Sequence, residues 1–250
     1  MNTIMNLPRL VFVICFVVLW LSANFGAFIG QRVRPLKDGE RDNFAVIQAA
    51  ILTMLGLLIG FAFSMAVSRY DQRKNYEEAE ANAIGTEYVR ADLLPATDRA
   101  KVRDLLRSYL DQRVLYYEAR DDRELQGINA STAQLQAELW STVQARAAVQ
   151  PTPIMALAVS GMNDVLNSQG YTQFAWWNRI PGAAWGLMIA IAIFCNMLIG
   201  YGVRTGRYLF LVLPLAVSIS FFLIADIDSP RRGLIRVLPQ NLASLSQSLH

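Results

Sequence analysis

Histidine is almost missing from this chain: its one copy is His250 in 250 residues. Histidine-based acid–base catalysis and His-containing metal sites are thereby excluded. Cysteine is nearly as scarce, with only Cys15 and Cys195. Both fall inside long apolar runs, so they read as small buried hydrophobes, and a disulfide framework is excluded. Charge is sparse as well. Asp, Glu, Lys and Arg make up 17% of the residues against 54% hydrophobic, which is less charge than a soluble domain carries. No segment alternates apolar and polar residues convincingly, which argues against strands.

What remains is clustered apolar sequence. Four runs, Leu10 to Ile29, Phe44 to Val67, Ala183 to Val203 and Tyr208 to Ile227, reach bilayer-crossing length, which takes about 20 residues. The first three hold no charge, and the fourth meets its only one at Asp226. The first run has the look of a secretory signal, but it continues through Phe25, Phe28 and Ile29 behind a lone Arg9, so it reads as a span. The expected fold class is all-α: a four-span helical membrane protein with a helical soluble domain between spans two and three. The expected divisions are residues 1–67 (spans one and two), 68–181 (helical domain), 182–228 (spans three and four) and 229–250 (tail).

Four spans place both termini and the 68–181 domain on one side. That side carries Arg9, Arg69, Arg73, Lys74, Arg179, Arg231, Arg232 and Arg236 near the spans; the other carries Arg32, Arg34, Lys37, Arg41, Arg204 and Arg207. The excess of basic residues favours the terminal side as cytoplasmic. The net charge of +3 then belongs at an anionic lipid surface rather than on nucleic acid.

Between Phe61 and Leu94 there is no proline and only Gly85, so span two is expected to continue out of the membrane as one helix, stopped at Pro95. Thr97 and Asp98 suit a second helix start. GINAS at 127–131 reads as a turn, Leu135, Leu139 and Val143 as the face of a third helix, and Pro151 and Pro153 as its end. A last soluble helix carries Ala158, Met162, Val165 and Leu166. Trp176, Trp177 and Trp185 around Pro181 fit an aromatic belt at headgroup level.

Two features bear on function. On span two, Thr53, Gly56, Gly60, Ser64 and Val67 share a face, flanked by Ile59 and Phe63. A small, weakly polar stripe of this kind serves either close helix packing or a pore wall, and periodicity alone favours packing. Gly26 with Gly30 and Gly182 with Gly186 repeat the same spacing of four. The second feature is FLIADIDSPRRG at 221–232, where two carboxylates end a span. Carboxylates at such a depth need partners or water. Asp226 and Asp228 share an interface with Arg69 and Arg73 and precede Arg231 and Arg232, which suits an ion-pair seam, with a cation site as the other reading.

The strings GFAFSMAVSRYDQRK, EANAIGTEYVRADLL and IADIDSPRRGLIRV with QNL resemble the bacterial bestrophin-like domain family over about residues 44–249. Bestrophins are homopentameric anion channels with cytoplasmic termini, a cytosolic helical domain between spans two and three, and a hydrophobic neck on span two. The resemblance therefore implies an oligomeric, anion-selective channel of the bacterial inner membrane. It implies self-association as a pentamer, inorganic ions and lipid as partners, and Ile59, Phe63 and Val67 as the match to the neck. One departure stands out. Calcium-gated bestrophins carry a dense acidic run after the last span, and ADIDSPRRG has two aspartates followed by arginines. The other reading is a non-conducting scaffold or signalling protein that binds a partner through its helical domain. No motif fixes a nucleophile, base, metal or cofactor, so no enzyme is expected.

Overall fold

A computed structural model describes residues 7–33, 36–202 and 209–249. The expected span ends Val203 and Tyr208, along with Arg34, Arg204, Arg207 and His250, lie outside them. Among the described residues the secondary structure is helical throughout, with no strand. In chain order the helices are α1 (Pro8–Phe28), α2 (Arg41–Arg90), α3 (Ala96–Glu118), α4 (Asp122–Val149), α5 (Pro153–Trp177), α6 (Gly182–Gly202), α7 (Leu209–Asp228) and α8 (Gln240–Leu249). Helices long and apolar enough to cross a bilayer lie within Pro8–Val33, Arg41–Leu93, Pro153–Gly202 and Phe210–Asp228. The third stretch breaks at 178–181, between α5 and α6, and α6 holds its uncharged run. The chain divides into two compact units, Met1–Arg69 with Arg179–Arg236 and Tyr70–Asn178 with Val237–His250.

In the first unit, α1 packs along α6 and α7. The contact with α6 is closer than side chains permit. A Cβ at Gly26 would strike the Met197 carbonyl, one at Gly30 the Tyr201 carbonyl, and one at Gly200 the Ala23 carbonyl. Glycine is required at this crossing because backbone meets backbone. Gly186, by contrast, faces open space. Trp185 is only 2% exposed and meets the Phe221 ring edge-on at 5.9 Å. Large apolar side chains such as Leu21, Phe25, Leu57 and Phe61 point outward, as spans require when lipid or another chain is the solvent.

The second unit takes the latter part of α2 with α3, α4, α5 and α8. Val102, Leu106, Tyr109, Leu139, Val143, Ala158, Met162 and Val165 form its core, as the helical spacing predicts. Two expectations are corrected here. No turn exists at 127–131: α4 starts at Asp122, capped by the Asp121 side chain accepting from the Arg123 amide at 3.4 Å, and runs through Gly127 unbroken. One internal glycine costs only about 1 kcal/mol, and burial of Ile128 and Thr132 outweighs it. Nor do the tryptophans form a belt. Trp176 is buried between Tyr116 and Tyr117, at 5.2 and 5.3 Å, and Trp185 sits in the first unit's core, leaving Trp177 exposed. Pro151 and Pro153 do end one helix and start the next, the Thr152 hydroxyl accepting from the Met155 amide at 3.2 Å.

Candidate functional site

The face of α2 picked out by periodicity is unpacked within the chain. Thr53, Gly56, Gly60 and Ser64 are exposed, Phe63 is 41% exposed, and Ile59 and Val67 are half-buried. A Cβ added at Gly56 or Gly60 would touch nothing within 4 Å. Leu55, Ala62 and Ala66 are the buried positions of this stretch. At 100° per residue they lie roughly 140° round the helix from the small-residue stripe, with Ile59 and Phe63 between the two. The Thr53 hydroxyl donates to the Ala49 carbonyl at 2.9 Å, so it faces outward already satisfied. The structure thus places five of these seven residues, Thr53, Gly56, Gly60, Phe63 and Ser64, on an exposed flank of one helix, with Ile59 and Val67 half-buried beside them.

The end of α7 is built differently. Asp226, 2% exposed, accepts hydrogen bonds from the Leu234 amide at 2.7 Å and the Ile235 amide at 2.8 Å. The SPRRG turn makes this possible. The Gly233 amide donates to the Ser229 carbonyl at 3.3 Å, and any Cβ on Gly233 would collide with the Asp226 carbonyl. Asp228 accepts from the Ile180 amide at 3.2 Å and sits 3.6 Å from the Arg69 guanidinium, the two side chains being 8% and 14% exposed. Of the residues expected in the seam, Arg69 and Asp228 come together, while Asp226 is answered by backbone. Arg73 is buried in the second unit, Arg231 is half-buried and Arg232 exposed. Among the described residues no group of three or more His, Cys, Asp or Glu could hold a metal ion.

Sequence reasoning missed a third set, on the part of α2 that belongs to the second unit. Arg73, Glu77, Glu80, Ile84, Glu87 and, just past the end of α2, Ala91 are each 1% exposed or less. Their spacing of four, three, four, three, four is a heptad seam. Glu80 accepts from the Arg113 guanidinium, from the Thr172 hydroxyl at 2.9 Å and from the Tyr117 hydroxyl at 3.5 Å. Burial, and then the Glu80 charge, push the Tyr109 and Tyr117 phenols well above the usual range. Glu77 caps α8, taking the amides of Asn241 and Leu242 at 2.9 Å each and the Asn241 side chain at 2.6 Å.

Bilayer-length helices and a separate helical unit with a charged interior define an α-helical integral membrane protein. Residues 16–242 match the family described as Bestrophin-like domain, and the chain belongs to that family. Its fold is similar to crystal structures of a bacterial Bestrophin homologue from Klebsiella pneumoniae, in single-substitution variants. One is 13% identical, with 95% of each chain covered and a TM-score of 0.67. A second is 12% identical over 95% of this chain and 97% of that one, at 0.67. A third is 14% identical over 95% and 96%, at 0.64. At such identities the likeness is one of fold. No curated protein matches the sequence.

Proposed function

We propose that the protein is an ion channel built from several copies of this chain about one axis, with α2 facing the axis. Anion selectivity and a pentameric ring are part of this proposal, supported by the chain's likeness to bestrophins. Phe63, with Ile59 and Val67, is assigned to a dry constriction, and Thr53, Gly56, Gly60 and Ser64 to the flank along which copies meet or water enters. The observation that carries this reading is the exposed face of α2: small and weakly polar residues in a span, with open space around Gly56 and Gly60 among the described residues. A hydrophobic ring opposes conduction because an ion must shed hydration with no carbonyl or charge in exchange.

Phe63→Ala in reconstituted liposomes is therefore expected to raise chloride flux severalfold, with the oligomer unchanged on a sizing column. Purified oligomer that passes neither chloride nor potassium in either form would overturn the channel reading. It would favour the scaffold, for which a groove of about 680 Å³ lined by Trp140, Met155 and Val159 between α4 and α5 offers a contact surface.

The bilayer we assign is the bacterial inner membrane, with both termini and the helical unit in the cytoplasm. A periplasm-active reporter after residue 250 should stay silent and one inserted near residue 38 should be active. The opposite pattern would reverse the orientation.

A further inference from the structure

Of the three carboxylates in the α2 seam, Glu87 is the one that accepts no hydrogen bond from a described residue. It is 0% exposed, and neither carboxylate oxygen accepts a hydrogen bond from any described residue. The carboxyl is wedged against α5 at Gly161, where a Cβ would collide with Glu87 Oε2 and with the Arg90 guanidinium. The charged groups facing it are Arg90, three residues on along α2, and Asp164 on α5, one turn beyond Gly161. Burial is the largest influence and disfavours the charge; Arg90 favours ionisation, and Asp164, the smaller influence, opposes it. Nearby Glu77 and Glu80 accept from three and four donor atoms respectively; Glu87 accepts from none described.

We propose that Glu87 is a protonation latch: as a neutral acid it lets α5 seat on α2 at Gly161, and loss of its proton releases that crossing. Burying an ionised carboxylate without a hydrogen-bond donor costs far more than burying the neutral acid. When the crossing opens, water reaches the carboxyl and it returns to ordinary acidity. Closed, burial raises it from 4.5 to about 8. The closed state therefore binds more protons between those limits. Its advantage is full below about pH 4.5, falls as pH rises, and is gone above about pH 8. Glycine at 161 fits this device because a larger residue would hold the helices apart in either state. The inference concerns the helical unit alone and does not depend on whether the protein conducts.

The test is amide hydrogen exchange on the full chain in lipid nanodiscs, corrected for the intrinsic base-catalysed rate, from about pH 5 to pH 8. Protection of α5 amides around Gly161 should fall about tenfold per pH unit in the wild type, the slope for one linked proton. Glu87→Gln, a fixed copy of the protonated form, should show no slope and should hold the high protection at every pH. Infrared spectroscopy of the wild type supplies a reading that needs no variant. A protonated-carboxyl stretch should persist above pH 6.5 and vanish with a midpoint near pH 8. Equal slopes in wild type and variant, or no such band above pH 6.5, would overturn the latch.

Discussion

Replacing Glu80 with alanine is expected to cost about 3–5 kcal/mol of stability, the range for breaking a buried charge pair from one side. Glu80 and Arg113 are both 0% exposed. The guanidinium bonds the carboxylate through Nε and, at 3.5 Å, through Nη2, and it lies 4.3 Å above the Tyr116 ring. Without Glu80 that charge keeps the Tyr116 ring but no carboxylate among the described residues, and the Thr172 and Tyr117 hydroxyls lose an acceptor. The pair's net worth is a separate quantity. Glu80→Leu combined with Arg113→Met should recover most of the loss, because apolar side chains of similar volume need no solvation. Thermal unfolding in detergent of the single and double variants closes the cycle; additive losses would show that the two residues act independently.

Asp228→Ala is expected to destabilise the first unit by about 2–3 kcal/mol, the cost of unmaking charge-assisted hydrogen bonds. The Ile180 amide loses the only acceptor described for it, the Arg69 guanidinium loses its carboxylate, and Arg179 loses a nearby negative charge. Arg69 keeps 14% of its side-chain surface, so water softens its share. Asp228→Asn tests the division of labour. It retains an oxygen for the Ile180 amide and should recover roughly half the loss, with the remainder appearing as a coupling to Arg69→Gln. Equal damage from alanine and asparagine would assign the whole effect to charge.

The four spans were legible because a bilayer leaves so few options: long uncharged runs admit only helices. Leu139 and Met162 declared themselves through apolar periodicity. The charged seam did not, and the reason is physical. Arg73, Glu77, Glu80 and Glu87 occupy heptad positions, yet ionised side chains ordinarily mark the solvated face, so polarity masked a spacing that was present all along. Their partners, Arg113, Thr172 and Asn241, lie 33, 92 and 164 residues away along the chain, a distance no local pattern spans. The tryptophans failed for a related reason. Their position beside a span suited headgroups, but Tyr116 and Tyr117 were hidden from any local reading. At Asp226 the neighbouring arginines drew attention away from a humbler partner, the backbone amides of its own turn.

The carboxylate of Glu77 sits in the middle of the chain and the amides it receives belong to residues 241 and 242. A ribosome makes α6 and α7 between the two. For that whole interval the helical unit exists without α8, with Glu77 still hydrated and the place of the fully buried Leu242 vacant. Only after α6 and α7 have been synthesised can the final helix arrive and close the unit. Completion of the soluble half thus reports that the membrane half has been synthesised. A chain stalled or cut before Pro239 leaves an open apolar cleft, the kind of surface that chaperones and proteases detect.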